Sequence, residues 1–304
     1  MTRLLPLVLL AVLPMSGAAS AQPAAQPSAR SVPVPFTSER IGVTVRGEGP
    51  DVILIPGLSS SAEVWDGTVA AVPGYRYHIV HVSGFAGRPA GANASGPVVT
   101  PVGEEIARYI KEARLNRPAI VGHSMGGSWA MMVAGRHPAL VSKLMVIDML
   151  PFMGAMFGGP GATPDSVRPI AEQIRAGIAG GTGAAREAST RQVIDSMVGT
   201  ESLRPLAFRH SMESDSTVSA QSFYDLVTTD LTPELRTIRV PMTVLWVHPQ
   251  GAPVTEEQMA GFYRAAYAPA AHARVLNVPN SRHFIMWDAP AFFQRELRAF
   301  LGGS

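Results

Sequence analysis

The stretch that decides the fold is Arg117-Pro118-Ala119-Ile120-Val121-Gly122-His123-Ser124-Met125-Gly126-Gly127. Residues 119–121 are an apolar run suited to a strand buried on both faces, and residues 129–133 beyond the stretch have helical composition. Between them, Gly122-His123-Ser124-Met125-Gly126 fits Gly-x-Ser-x-Gly. So tight a strand-to-helix turn forces the central residue into a strained backbone that lifts its hydroxyl clear of the sheet. The flanking glycines, lacking a Cβ, let strand and helix come together. The helix that starts there offers free N–H groups and its positive dipole end beside Ser124, where an oxyanion would form. Glycine-rich loops are common, so the pattern takes its weight from the strand before it and the helix after it.

With strand, elbow and helix in place, the chain resembles the α/β-hydrolase superfamily of serine esterases and lipases, from about residue 43 to residue 301. The resemblance implies an α/β fold: a mostly parallel central sheet flanked by helices, with a helical cap inserted after the strand that follows the nucleophile helix. The rest of the sequence reads the same way. Apolar runs at 41–46, 52–55, 77–82, 144–147, 242–247 and 273–278 alternate with helical segments, which argues for a parallel sheet covered on both faces. Trp65, in a helix at 63–72, belongs to the core, and Thr100-Pro101 supplies a cap and first-turn proline for the next helix. From Met149 to about Ile238 the alternation stops. Gly158-Gly159 and Gly180-Gly181 there separate short helices, one with Val167, Ile170, Ile174 and Ile178 on a face and another with Phe223, Leu226 and Val227. The core is therefore expected at 36–148 and 239–304, and the cap at 149–238.

The first residues stand apart. Arg3, the apolar run 4–13 and Ala19-Ser20-Ala21 have the layout of a secretory signal peptide over 1–21, too short to span a bilayer. An Ala, Pro, Gln and Ser leader follows at 22–35, a composition that cannot bury enough apolar surface to fold. Export to the periplasm or medium is the expectation. Cysteine is absent, which excludes disulfides, a thiol nucleophile and thiolate metal sites. The formal charge is +2, and the basic residues are scattered arginines with Lys111 and Lys143 the only lysines, so no nucleic-acid footprint is visible. No histidine pair has metal-ligand spacing, and no cofactor motif is present.

The remaining site assignments come from the resemblance. The family carries a His-Gly-x loop after an early strand, and here Pro56-Gly57-Leu58-Ser59 occupies that place with proline for histidine. The Leu58 and Met125 main-chain N–H groups are then the oxyanion donors. His283, in the loop after the last strand, falls where the family has its catalytic base. His123 is read as packing or bonding the elbow, and His78, His81, His137, His210 and His272 as surface or locally bonded. The family's commoner acid position, after the 242–247 strand, falls on Gln250. Some relatives carry the acid one strand earlier, where this chain has Asp148. Asp148 is the first choice, with Asp230 from the cap, or no charged partner, as rivals; Asp288 is assigned to capping the final helix. Met149, Phe152 and Met153, with Met156 and Phe157, are candidates to line an apolar pocket or to glue cap to core. The whole implies a serine carboxylic-ester hydrolase. The same triad acting on lactones, amides or peroxide is one alternative, and a non-catalytic ligand-binding homologue is another.

Overall fold

A computed structural model describes residues 36–302 apart from 160, 249, 250, 252 and 253. The signal-peptide and leader readings, and Gln250, lie outside the described residues. Seven strands form one sheet: β1 (Ile41–Arg46), β2 (Asp51–Ile55), β3 (Arg76–Val82), β4 (Ala119–His123), β5 (Lys143–Ile147), β6 (Met242–Trp246) and β7 (Arg274–Asn277). Their order is β1-β3-β2-β4-β5-β6-β7; β1 runs antiparallel to β3 and every other pairing is parallel.

The helices are α1 (Asp66–Ala71), α2 (Val99–Glu112), α3 (Met125–Arg136), α4 (Ala155–Gly158), α5 (Pro164–Gly180), α6 (Gly183–Met197), α7 (Arg204–Glu213), α8 (Ser216–Thr228), α9 (Thr232–Leu235), α10 (Glu256–Tyr267), α11 (Ile285–Asp288) and α12 (Pro290–Gly302). Between β5 and β6 the described residues form helices and loops only, α4 to α9.

Side chains of a strand alternate between faces, and here both faces are apolar, as in a sheet covered on both sides. Ile53, Ile55, Ile120, Leu144, Val146, Val244 and Trp246 join one core with Trp129 and Met132 of α3 and Ile106 and Ile110 of α2. Val52, Leu54, Val121, Met145, Ile147 and Leu245 join the other with Trp65 and with Phe293 and Leu297 of α12. A third, smaller cluster joins Phe152 to Val167, Ala171 and Val227, and is how α5 packs on α8.

The register matters most for function. Ile55 of β2 pairs with Gly122 of β4, His123 of β4 with Ile147 of β5, Ile147 with Leu245 of β6, and Trp246 with Asn277 of β7. Because these five strands are parallel, they all leave the sheet at its carboxyl end. The residues that follow four of them, β2, β4, β5 and β7, are Gly57-Leu58, Ser124, Asp148 and the loop to His283.

Several local expectations are corrected. The N-terminus of α2 begins at Val99 and is capped across the chain: Asp225 of α8 accepts from the Val98 and Val99 amides at 2.6 and 3.1 Å, so Thr100 is not the cap. In α5 the buried face carries Val167 and Ala171, and Ile170 is exposed. Met156 and Phe157 are also exposed. His78 and His210 are buried and bonded to distant carboxylates: Asp51 at 2.8 Å and Glu63 at 2.7 Å. Asp288 does not cap α12. Its carboxylate accepts from the amides of Gly199, Thr200 and Arg282 at 2.8–3.0 Å and ties the chain after α6 to the loop before His283.

Candidate active site

Ser124 sits between β4 and α3 with φ 54° and ψ −128°, a backbone that only a constrained turn imposes on a residue with a Cβ. The constraint is steric. A Cβ on Gly122 would meet the Gly126 carbonyl oxygen at 2.1 Å, and one on Gly126 would meet the Ile55 oxygen at 2.2 Å. The elbow is therefore wedged between its own helix and the end of β2, and glycine alone fits both positions. Ser124 N–H donates to the Ile147 carbonyl at 2.8 Å, which ties the elbow to β5. Although Ser124 occupies the N-cap position of α3, its hydroxyl makes no capping bond.

The loop after β2 crosses directly against this elbow, since a Cβ on Gly57 would lie 2.9 Å from the Ser124 Cβ. A short turn holds the loop, with Ser60 N–H donating to the Gly57 carbonyl at 3.2 Å. Ser59 takes a left-handed φ of 54°, and its hydroxyl meets that of Ser219 on α8 at 2.8 Å. The Leu58 N–H has no hydrogen-bond partner among the described residues. Met125 N–H opens α3, where the first amides have no partner inside the helix. Two free donors thus lie next to Ser124 along the chain and on the loop that crosses its elbow.

The structure brings His283 and Asp148 together. His283 Nδ1 donates to Asp148 Oδ2 at 2.6 Å, with both side chains largely buried. Asp148, immediately after β5, also has a left-handed φ of 49°, and its N–H donates to the Leu245 carbonyl at 2.7 Å. Oδ1 accepts from Val247 N–H at 3.3 Å and from the Tyr263 hydroxyl at 3.1 Å. Asp230 is spent locally, accepting from Thr232 N–H at 2.8 Å beside α9. Among the described residues Ser124 Oγ and the His283 ring share no hydrogen bond, a contact that in ligand-free sites often tightens only around substrate.

His123 underlies this arrangement. Its Nε2–H donates to the His283 carbonyl at 3.0 Å, and the two rings lie 4.7 Å apart. Burial, together with the charge His283 can carry, holds the His123 ring well below the ordinary histidine range, so it stays neutral. Of the pocket candidates, Met149 packs against α3 close to Gly127 and Phe152 fills the α5–α8 cluster; both are enclosed. Met149 joins the core that contains α3, and Phe152 packs only among residues between β5 and β6. Met153 is half-buried and touches both clusters, and Leu58 is half-buried near the elbow. Sequence reasoning missed Tyr263 and the role of Asp288. Met259, Tyr263 and Tyr267 at four-residue spacing are the only trace of the former, and read as an ordinary core stripe.

Comparison with known proteins finds relatives in sequence and in fold. Pimeloyl-[acyl-carrier protein] methyl ester esterase of Vibrio cholerae is 28% identical over 209 residues, covering 66% of this chain and 76% of that protein. Its counterpart in Vibrio vulnificus is 31% identical over 130 residues, covering 42% of this chain; the match spans about half (48%) of that relative's length. Among solved structures, an esterase from Exiguobacterium antarcticum superposes with TM-score 0.71 at 22% identity over 86% of this chain and 96% of its own. The enol-lactonase of Burkholderia xenovorans does so with TM-score 0.68 at 18% identity over 86% and 96%. The profile of the Alpha/beta hydrolase family matches residues 52–296, and the chain belongs to that family.

Proposed function

We propose that this protein is an exported serine hydrolase of small to medium apolar carboxylic esters, with Ser124 as nucleophile, His283 as general base and Asp148 as the acid that orients it. The observation that carries the reading is the 2.6 Å bond from His283 Nδ1 to Asp148 Oδ2, beside a serine whose backbone is strained and whose hydroxyl is free. The bond fixes the histidine tautomer with Nε2 unprotonated, as a base must be. His283 takes the Ser124 proton as Oγ attacks the ester carbonyl, and the Leu58 and Met125 amides receive the oxyanion. The proton then passes to the leaving alkoxide. Water, deprotonated by the same ring, attacks the acyl-enzyme and releases the acid. The relatives named for methyl ester hydrolysis support an ester rather than another acyl substrate. The export reading rests on the layout of residues 1–21.

The test is hydrolysis of a p-nitrophenyl ester chain-length series by wild type, Ser124→Ala and Asp148→Asn, each checked for folding by circular dichroism. Both variants should lose on the order of 10³-fold or more in kcat, since members of such a triad act as a unit. An inert wild type across the series, or failure of a fluorophosphonate to label Ser124, would defeat the esterase reading and turn the search to lactones, amides or mere ligand binding. Amino-terminal sequencing of the mature protein from the periplasm or medium checks export; a protein retaining Met1 in the cytoplasm refutes it.

A further inference from the structure

Asp148 is a short side chain on a strained backbone, and a carboxylate held by one oxygen alone is free to swing about its last bond. What stops it lies on α10. The Tyr263 hydroxyl donates to Oδ1 at 3.1 Å, a shorter contact than the 3.3 Å from Val247 N–H. Tyr263 is itself clamped: its ring stacks on Trp246 of β6 at 5.1 Å and 18°, and runs nearly parallel to Tyr267 at 6.4 Å and 8°. Tyr267, one turn further along α10, gives its hydroxyl to the carbonyl of Met149 at 2.6 Å. One face of α10 thus grips two consecutive residues, the side chain of 148 and the main chain of 149, at the point where the chain leaves β5.

We propose that Tyr263 is the positioning residue of the site's acid, fixing the Asp148 carboxylate so that Oδ2 points at His283 and moderating its basicity through Oδ1. The inference rests on the Ser124, His283 and Asp148 reading above. A donor on Oδ1 draws charge from the carboxylate, so its removal concentrates charge on Oδ2 and raises the proton affinity of the His283 ring. The titratable groups facing the pair are Tyr263, Tyr267 and His123, and burial holds all three neutral, the tyrosines far above and the histidine far below their ordinary ranges.

Tyr263→Phe keeps both ring stacks and removes only the hydroxyl. On a p-nitrophenyl ester kcat should fall roughly tenfold with KM unchanged, the scale of one hydrogen bond to a charged group. The acid limb of the kcat/KM profile should move to higher pH, and the substitution should cost nothing further in an Asp148→Asn background. A purely structural role would lower thermal stability but leave the acid limb in place. Wild-type kcat with an unmoved limb, or a full additional loss on top of Asp148→Asn, overturns the inference while leaving the acid assignment standing. An active Asp148→Asn enzyme strikes down the assignment itself. Should Tyr263→Phe fold poorly, 3-fluorotyrosine placed at 263 keeps the packing and strengthens the donor. The limb must then move to lower pH, and an unmoved limb is again fatal.

Discussion

Gly57→Ala tests the proposed oxyanion loop separately from the rest of the site. Gly57 is not in the left-handed region, so alanine is compatible with its backbone and the cost is steric. The new Cβ would stand 2.9 Å from the Ser124 Cβ, 3.3 Å from His123 Nδ1 and 3.4 Å from the His123 carbonyl oxygen. Ordinary contact between two carbons is about 3.5–4.0 Å, so a gap of roughly 0.6–1 Å must open between loop and elbow. The elbow is the less able to give, being wedged against Ile55 and Pro56 and bonded to β5. The loop therefore retreats, carrying the Leu58 N–H with it. A hydrogen-bond donor withdrawn by that distance is effectively lost, and removing one oxyanion donor costs about 10²–10³ in kcat, or roughly 3–4 kcal/mol of transition-state stabilisation. Ground-state binding does not use the oxyanion geometry, so KM should change little. The overpacking itself destabilises the fold by about 1–3 kcal/mol. A control separates the two effects. Gly103→Ala on α2 meets Met132 Sδ at 2.5 Å, a closer approach still but to the far end of a flexible side chain. Steady-state kinetics and urea unfolding on both variants decide the matter. If Gly57→Ala is folded and turns over within threefold of wild type, Leu58 N–H is not a donor and the loop reasoning fails.

The remaining predictions concern strain, capping and pH. Ser124→Gly relieves the φ of 54° and should be more stable than Ser124→Ala by about 1 kcal/mol in urea unfolding, the strain relief exceeding glycine's entropy cost; the reverse order refutes strain at the elbow. Asp225→Ala leaves the Val98 and Val99 amides without their acceptor, and should cost about 1–2 kcal/mol, with Asp225→Asn recovering part; an unchanged urea midpoint refutes the cross-chain cap. Burial first, with Arg88 and Arg46 adding to it, pushes His81 down from 6.5 to about 4. Its neutral form is thus the native one, and its contribution is fully present above pH 6.5. Between 6.5 and about 4 the unfolded chain binds a proton that the folded one refuses, so stability falls with acidification. The urea midpoint should drop across that window and drop less in His81→Gln, and equal slopes would exclude His81 as a source.

What the sequence made legible was whatever depends on neighbours along the chain. Parallel strands buried on both faces are uninterrupted apolar runs, so β2, β4, β5 and β6 stand out unaided. The elbow is likewise local, because Gly122 and Gly126 are set by clashes within a few residues of Ser124 or with the adjacent strand. Contacts that span the chain left no trace. Asp225 caps a helix more than a hundred residues earlier, and Asp288 serves amides nearly ninety residues away. A periodic stripe shows that a helix has a buried face without showing what covers it. Hence the expected α5 face joined Val167 to Ile170, whereas α8 covers Val167 together with Ala171 and leaves Ile170 exposed.

The proposed acid, Asp148, shows why such contacts escape a local reading. A carboxylate after β5 and one after β6 can serve the same histidine, because Ile147 and Leu245 are in register and both strands end at the same edge. Moving the acid by one strand changes which atoms must surround it. After β5, the chain's own amide is committed to Leu245 and a single N–H from Val247 reaches Oδ1 at the long distance of 3.3 Å. The segment following β6 supplies the rest, contributing Val247 N–H and then, through α10, the Tyr263 hydroxyl. On the proposed reading that segment, which in the commoner arrangement would carry the acid, instead braces Asp148. A tyrosine acts at this distance because its ring is rigid, with few rotamers to lose, and because stacking on Trp246 and Tyr267 fixes where its hydroxyl lies. On the proposed reading Asp148 and Tyr263 act as one unit split over 115 residues, and a variant that returns the carboxylate to the β6 loop should no longer need the hydroxyl at 263.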